Sequence, residues 1–334
     1  MALVVIIGIL AASASILLAV TIGSAGPDFL SSARILFHPS SASPDDPARV
    51  IVLSIRVPRA LLGFLVGAAL SCAGAAFQAL LKNPLADPYV LGISGGAALG
   101  AIAFSLLPIP LFFGATPGMG AAIGAFLAVL TVFSLAKGHG RSFTPVHLLL
   151  VGVIVGTFCS AVILIALTLA EPGRLRSLLF WLAGDLGLSS SAEVAVTAPF
   201  ILIGIIGLFL MARPMNLLLA GEDMAARLGV SPEKIRLAIY LLASMAVGGA
   251  VASAGSIGFA GLLIPHAIRL VVGPDHRLLI PACAFFGGGL MVLADLAARS
   301  MLAPAVIPVG VVTALAGAPL FLILLRKSMG GRQK

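Results

Sequence analysis

The sequence has few charged residues: Asp, Glu, Lys and Arg make up only 10% of its 334 residues. A soluble domain carries roughly a quarter charged residues, so this scarcity excludes a soluble globular protein. The phosphate-binding motif G-x-x-x-x-G-K-[ST] is missing, and no nucleophile–base arrangement or pair of carboxylates facing a pocket is visible. We therefore predict that the chain is not an enzyme and that any energy from ATP comes from a separate subunit.

Cysteine is also scarce. Cys72, Cys159 and Cys283 all fall inside apolar segments. Their spacing matches neither a metal site nor a disulfide framework, so we interpret them as packing residues and predict no metal site.

Hydrophobic residues make up 60% of the chain and form continuous runs rich in Gly and Ala. A transmembrane helix needs about 20 mainly apolar residues, whereas a membrane barrel would show strands of alternating polarity. We therefore predict an all-α polytopic membrane protein, one transmembrane domain over residues 1–334 with about ten helices. The predicted spans are 3–22, 58–80, 92–108, 119–136, 146–169, 192–211, 238–253, 258–272, 279–297 and 308–325.

The first and eighth spans are the least regular. The first has no basic n-region and is long enough to cross, so we expect a retained helix rather than a signal peptide. The eighth is interrupted by Pro265, His266 and Arg269, with Gly258 and Gly261 upstream. We expect a short, broken helix there, and a metal- or haem-ligand role for His266 stays an alternative.

The net charge of +8 predicts a membrane orientation rather than nucleic-acid binding. Lys and Arg gather in the cytoplasmic loops of membrane proteins. The basic segments share one side if both termini are cytoplasmic: Lys137–Arg141, 213–236, His276–Arg277 and the tail from Arg326. We therefore predict a multi-pass protein of the bacterial inner membrane. This orientation leaves several outer arginines that need another reason: Arg34, Arg49, Arg56, Arg59, Arg174, Arg176 and Arg299.

Three connections differ in character. The outer connection at about 25–57 contains SSASPDDPAR and is predicted to be a loop. The outer segment at about 171–190 is too short and too charged to cross, and we expect a short helix at the pore mouth. The two prolines of NPLADP (Asn83–Pro88) end the second span in a rigid turn, where Asn83 and Asp87 are suited to cap helix ends.

The chain contains a faint internal repeat. GAALSCAG (Gly67–Gly74) and GGAVASAG (Gly248–Gly255) share four positions, and the same offset pairs Pro84 with Pro265. The copies belong to spans of opposite direction, as in an inverted-repeat transporter. Chance similarity is the alternative, because small residues dominate packed membrane helices. Gln78, near the first copy, is expected to bond to a neighbouring helix.

One charged segment lies at mid-chain: NLLLAGEDMAARLGVSPEKIR, residues 216–236. Gly221 is suited to an N-cap and Gly229 to the C′ position, which predicts a helix of about two turns between them. Glu222 and Asp223 would lie at the positive end of its dipole. Two turns are not stable alone.

Met224 and Leu228 give this short helix one apolar face. Two alternatives stay open on composition alone. The helix rests on its own membrane domain, or it docks a soluble partner.

Six motifs occur in order along the chain: RVPR (Arg56–Arg59), GFLVGAALSCAGAAFQALLKNPLADPYVLGISGGAALG, NLLLAGEDMAARLGV, GSIGFAGLLIPHAIRLVVGPDHR, DLAAR (Asp295–Arg299) and IPVGVVTALAGAPLFLILL. Any one would be modest support, whereas all six in order argue strongly against chance. With these motifs the chain resembles, nearly end to end, the permease subunits of ATP-binding-cassette importers for iron–siderophore complexes, haem and cobalamin.

The resemblance implies that the charged helix is the coupling element that sits in a cleft of the ATPase subunit. The residues that match this motif are Gly221, Glu222, Asp223, Ala225, Leu228 and Gly229. The run around Ala220 departs slightly from the family pattern, which leaves the start of the helix open. ATP and Mg would be bound by the partner ATPase, and this chain would carry no cofactor.

The resemblance also implies a reason for outer arginines. In this family a periplasmic or lipid-anchored binding protein docks through acidic side chains on permease arginines, and Arg56, Arg59 and Arg299 match those positions. A guanidinium group suits this role because it binds carboxylates bidentately. Asp295, one helical turn from Arg299, is expected to hold its orientation. Arginines that snorkel to lipid headgroups are the alternative.

The resemblance therefore implies the membrane half of an ATP-driven importer that works by alternating access. Two copies of the chain form the pore, with two ATPases below and a binding protein above. The pathway and gate are expected at Thr144, Pro145 and Trp181. A ferric siderophore is the expected cargo, with haem, cobalamin or an oxyanion as alternatives. An ion-coupled secondary transporter is the rival class, but it would need acids or His at mid-membrane, and the spans hold almost none apart from His266.

Overall fold

The structure, a computed structural model, describes residues 2–23, 26–39, 43, 45–106, 117–137, 144–187, 189–229 and 231–330. Within these ranges the chain is built from helices and contains no strand. The α-helices are α1 (Ala2–Thr21), α2 (Phe29–Phe37), α3 (Pro47–Val50), α4 (Val57–Leu80), α5 (Ile93–Leu106), α6 (Pro117–Lys137), α7 (Pro145–Leu169), α8 (Pro172–Leu182), α9 (Ser191–Leu210), α10 (Ala212–Ala220), α11 (Glu222–Arg227), α12 (Pro232–Ala254), α13 (Ala260–Val272), α14 (His276–Ser300) and α15 (Val309–Gly330). A π-helical stretch, Ile51–Arg56, joins α3 to α4, and a 3₁₀ turn, Pro88–Leu91, precedes α5.

The predicted all-α polytopic fold is confirmed. Seven helices in the described ranges are long and apolar enough to cross a membrane: α1, the continuous helix Pro47–Leu80, α6, α7, α9, α12 and α14. Three shorter apolar helices, α5, α13 and α15, correspond to the other three predicted spans. The basic residues of 138–141 and 331–334, used to predict the orientation, lie outside the described residues.

The region predicted as an outer loop, 25–57, contains two helical segments instead. Asp28 caps α2 and Asp46 caps α3, each by accepting a hydrogen bond from a backbone N–H of the first turn. Pro47 occupies the first helical position, where its missing N–H costs nothing. From there the helix continues into the second span, which therefore begins about three turns earlier than predicted.

α4 is the central helix of the molecule, and it packs against α14, α12, α13 and α9. Glycines on α4 allow this close packing. Gly67 lies against the carbonyl of Gly287 on α14, and Gly74 lies against the carbonyl of Gly261 on α13. Small residues let helix backbones approach closely, which strengthens van der Waals contacts between membrane helices.

α13 is short, as predicted, but it is not broken. The non-helical residues lie before it, at 255–259, and the helix runs through Pro265 without interruption. Because proline has no N–H, the carbonyl of Gly261 loses its helical donor. That carbonyl is the one that meets Gly74, so the proline and the glycine together explain the close crossing of α4 and α13.

The two copies of the internal repeat lie on α4 and α12, which pack together in opposite directions. The end of α4 and the start of α12 lie together, because Lys82 and Arg236 both contact Glu222. The opposite direction agrees with an inverted repeat. The paired prolines are not equivalent, however, since Pro84 lies in a turn and Pro265 lies inside a helix.

α1, α7 and α9 form the periphery. Less than a third of the residues in their apolar stretches are buried, and only 17% in α7. Large exposed side chains on α7 include Leu150, Phe158 and Leu164. An apolar surface of this extent requires lipid or another apolar protein surface to cover it.

Candidate functional site

α11 is the charged helix predicted at mid-chain. It runs from Glu222 to Arg227, with Gly221 (φ +131°) at its N-cap and Gly229 (φ +77°) just beyond its end. Both predicted terminators are confirmed, because glycine takes up such angles without steric strain.

α11 turns one face inward and one face outward. Ala225 is fully buried, so this residue of the predicted coupling motif anchors the helix instead of facing a partner. Met224 and Leu228 are 54% and 61% exposed and form an apolar ridge. Asp223 and Arg227, both exposed, flank that ridge. An apolar centre with a charged rim is typical of a docking surface.

Glu222 connects α11 to two neighbouring helices. Its carboxylate accepts a hydrogen bond from Lys82 Nζ at 3.3 Å and forms an ion pair with Arg236 Nη2. The Arg236 side chain is buried, whereas those of Lys82 and Glu222 are almost half exposed. The hydrogen bond from Arg236, with a smaller effect from Lys82, holds the pKa of Glu222 below its usual range. Sequence reasoning missed both cations. Arg236 lies in the same charged segment as Glu222 and was a visible signal, whereas Lys82 is distant in the sequence.

A second polar contact attaches α10 to the start of α14. Asn216 Nδ2 donates to Asp275 Oδ1 at 2.6 Å, and Asn216 Oδ1 accepts from His276 N at 3.0 Å. Hydrogen bonds from Arg277 and from Asn216 hold the pKa of the Asp275 carboxyl well below its usual range. The pair of helices α10 and α11 is therefore attached to α4, α12 and α14 at one end of the bundle, here called the α11 end.

The three arginines predicted to dock a binding protein lie together at the opposite end, and each has a partner inside the protein. Arg56 is 4% exposed, and its Nη1 donates to Val20 O at 3.1 Å and to Thr21 O at 3.3 Å. Arg299 Nη2 donates to Ala19 O. These guanidinium groups satisfy C-terminal carbonyls of α1 that have no helical donor, and their charge suits the negative end of the helix dipole.

Arg59, the third of these arginines, forms a bidentate ion pair with Asp295. The bonds from Nε and Nη2 are 2.9 and 2.8 Å long, and the two side chains are 14% and 5% exposed. Asp295, expected to orient Arg299, lies 3.6 Å from Arg299 Nε and so binds Arg59 more closely. Among the arginines predicted to lie on the outer side, the exposed ones are Arg34, Arg174 and Arg176. Docking on Arg56, Arg59 and Arg299 stays a prediction.

The predicted pathway residues lie at the two ends of one helix. Thr144 caps the start of α7 by accepting a hydrogen bond from His147 N at 3.4 Å, and Pro145 takes the first helical position. Trp181 lies in α8, the short helix predicted at 171–190, beyond the other end of α7. The 25 residues of α7 span about 37 Å. The three residues therefore do not form one site.

Two further polar residues singled out in the spans, Gln78 and His266, each contact a neighbouring helix. Gln78 Nε2 donates to Leu262 O at 3.4 Å, so its predicted bond to a neighbouring helix is confirmed. His266 is buried with its ring edge-on to Phe321, at 5.7 Å between ring centroids. Among the described residues no group of three or more His, Cys, Asp or Glu side chains is placed to hold a metal ion.

The chain is similar to permeases of transport systems. Residues 9–327 match the FecCD transport family. YvrB of Bacillus subtilis (strain 168), an uncharacterized ABC transporter permease protein, is 41% identical and covers 98% of this chain and 94% of its own. The hemin transport system permease protein HmuU of Yersinia pestis is 39% identical over 93% of this chain and 92% of its own. The cobalamin import system permease protein BtuC of Halobacterium salinarum is 44% identical over 84% and 74%.

The fold is similar to that of a solved transporter. A structure described as an inward-facing conformation of a metal-chelate type ABC transporter superposes with a TM-score of 0.83 at 28% sequence identity. The match covers 98% of this chain and 100% of that one.

Proposed function

Because the chain belongs to the FecCD transport family, and is therefore a permease subunit of an ABC importer, we propose that it moves a metal chelate into the cytoplasm by alternating access. The observation that carries the proposal is α11, a short helix with glycine terminators, a buried anchor and an apolar outer ridge. An ion-coupled secondary transporter would need no helix that docks an ATPase.

α11 docks in a cleft of a separate ATPase. The exposed ridge of Met224 and Leu228 would face into that cleft, with the exposed Asp223 and Arg227 at the rim of the contact. Burying two large apolar side chains contributes about 3 to 6 kcal/mol before the cost of association. Two ATPase subunits bind ATP and Mg and move two copies of α11.

A second copy of the chain completes the pathway. The exposed apolar face of α7 supports this, because a wall without charges lets a bulky chelate pass without binding tightly. Thr144 and Pro145 lie at one end of that wall, and Trp181 lies beyond the other. Opening the two ends in turn gives alternating access.

A substrate-binding protein docks at the end opposite α11. Arg59 is the predicted docking residue that acidic side chains reach most readily, because it keeps 14% exposure in its pair with Asp295. Arg56 and Arg299 support this surface from below by holding α1 in place. A docking carboxylate would compete with Asp295 for the Arg59 fork.

We propose an orientation in the membrane with α11 on the cytoplasmic side. α1 ends at the arginine cluster, so it starts toward the α11 end. α15 starts beside Ala183, near the opposite end, and so it also runs toward α11. Both termini then lie on the ATPase side, in agreement with the orientation predicted from the charge pattern. For this membrane-spanning permease we propose the bacterial inner membrane as the location.

The cargo is proposed by class. The relatives HmuU and BtuC are named as permeases for hemin and cobalamin, and on this support we propose these two chelates ahead of the ferric siderophore expected from the sequence. All three are bulky metal chelates, and they are the panel that a transport assay should compare.

The proposal is tested by uptake of radiolabelled cobalamin, hemin and a ferric siderophore in cells with and without the gene. We expect uptake of one chelate to fall on deletion and to return with the wild-type gene. A double substitution, Met224→Asp with Leu228→Asp, should abolish both uptake and co-purification of the ATPase while the protein still inserts. Glu233→Gln, an exposed charge change at the start of α12, is the control. Normal uptake and normal ATPase capture in the double variant would refute the docking role of the ridge.

A further inference from the structure

The Glu222 carboxylate lies between the end of α4 and the start of α12. Lys82 follows α4 and contacts it from one side, while Arg236 contacts it from the other. Lys82 has a φ of +47°, in the left-handed region that favours glycine at this position after a helix. Because Lys82 occupies this strained conformation where glycine would be unstrained, we infer that its contact with Glu222 has a role.

Arg236 places this contact on a rigid element. It is buried one turn inside α12, which continues to Ala254. Ala254 lies 18 positions after Arg236, which is a distance of about 27 Å along the helix axis. Pro232 lies at the first helical position, so no proline interrupts the α12 hydrogen-bond ladder between its two ends.

The far end of α12 contacts the segment that follows α8, residues 183–187, here called the gate anchor. Asp185 N donates to Ala254 O at 2.9 Å, which joins the gate anchor directly to the last turn of α12. Leu186 is 1% exposed, and a methyl group added at Gly63 of α4 would lie 3.4 Å from its Cδ1. The gate anchor is therefore inserted into the core, whereas most of α8 is exposed.

Three glycines bring backbones together around the gate anchor. Gly255, just after α12, lies against Trp181 O, and Gly310 at the start of α15 lies against Ala183 O. Gly184 has a φ of +83° and packs against the chain that follows α12. Side chains at these positions would overlap with the neighbouring backbone, so the contact between α12 and α8 leaves little room for independent movement.

We propose that Arg236 is a positioning residue for transport, which fastens Glu222 of α11 to α12 so that α12 carries movement of α11 to the gate anchor and Trp181. The inference rests on the proposed function, since it needs an ATPase that moves α11. It goes beyond that function by assigning Glu222 an internal role: Glu222 transmits movement, and the ridge of Met224 and Leu228 binds the partner.

The test uses the complete importer in lipid, with a spin label on Leu179→Cys, an exposed position of α8. Each copy of the permease carries one label, so the distance between labels reports the gate. The distance is measured without nucleotide and with ATP and vanadate, together with ATP hydrolysis and cargo moved per ATP. The variants are Arg236→Met, Arg236→Lys, Glu222→Gln and, as the matched control, Lys234→Met, an exposed cation two residues earlier on α12.

We expect Arg236→Met and Glu222→Gln to bind the ATPase and hydrolyse ATP, but to reduce the nucleotide-dependent shift at Leu179→Cys at least twofold and cargo per ATP at least fivefold. Arg236→Lys should restore most of both, and Lys234→Met should match the wild type. Glu222→Gln keeps the test decisive if Arg236→Met does not fold, because Glu222 is far more exposed. A full shift with normal cargo per ATP in either variant would overturn the inference. A wild-type importer without any ATP-dependent shift or uptake would instead refute the proposed function.

Discussion

Replacing Asp295 with Asn should destabilise the protein, because Asp295 is the carboxylate that contacts the buried Arg299 and the partly buried Arg59. The carboxylate accepts two short bonds from Arg59 and lies 3.6 Å from Arg299. Asn keeps the shape and one oxygen but removes the negative charge that contacts both guanidinium groups. Breaking a buried pair costs about 3 to 5 kcal/mol. Since Arg59 keeps some contact with solvent, we expect the substitution to lower the free energy of unfolding by about 3 kcal/mol.

The three native cysteines provide the assay, because Cys72, Cys159 and Cys283 are free and buried. A thiol-reactive fluorogenic dye labels them only as the protein unfolds in detergent. We expect Asp295→Asn to lower the apparent melting temperature by roughly 5 °C. Arg59→Lys, which keeps the charge but loses the fork, should fall between this variant and the wild type. Asp45→Asn, an exposed charge change, should have an effect under about 0.5 kcal/mol. An unchanged melting temperature for Asp295→Asn would refute the structural role of the pair and favour a cluster kept only for docking.

Three further changes test other contacts. Gly74→Ala should cost about 1 to 3 kcal/mol in the same dye assay, because the added methyl group overlaps with the Gly261 carbonyl, whereas Gly173→Ala, with open space around it, should be neutral. Thr144→Ala should cost about 1 kcal/mol through loss of the α7 cap and should speed hydrogen exchange in the first turn of α7; unchanged exchange would contradict the cap. The lowered pKa of Glu222 means that its ionised form contributes to the attachment of α11 at neutral pH and that this contribution is lost as pH falls below about 4.3 and through the lowered pKa. Amide exchange in α11, corrected for intrinsic rates, should therefore stay constant from pH 8 to 5 and rise at lower pH, and protection that persists at pH 3 would contradict the ion pairs.

The spans and α11 could be predicted from the sequence because their signals are local. An apolar run of about 20 residues identifies a membrane helix without knowledge of its neighbours. Gly221 and Gly229 likewise fix the ends of α11 through their own backbone angles. The helical segment Pro47–Arg56 was missed because the polar run SSASPDDPAR indicates a loop, although Asp46 and Pro47 in the same run begin a helix.

The partners of the site residues could not be predicted because they depend on distant parts of the chain. Arg59 and Asp295 are 236 residues apart, and Lys82 is 140 residues from Glu222. A sequence shows that an arginine lies near the end of a membrane span. It does not show whether the guanidinium group already forms an ion pair with a carboxylate from another helix. The burial of Arg56 could not be predicted for the same reason, since the carbonyl groups that accept its hydrogen bonds belong to the last turn of α1.

At the α11 end, apolar side chains face outward and a charged side chain, Glu222, contacts the rest of the protein. On a soluble protein an exposed charged helix would present its charges to a partner, whereas here Glu222 is turned toward α4 and α12 and the apolar ridge faces outward. In the proposed importer, this division follows from what each contact would do. Binding to an ATPase gains free energy from buried apolar area, which tolerates small shifts in angle. Transmitting movement requires a contact of fixed geometry, and the ion pair with the buried Arg236 supplies one. Substitutions on the two faces should therefore fail in different ways: loss of the ridge releases the ATPase, and loss of Glu222 leaves the ATPase bound but disconnected from the gate.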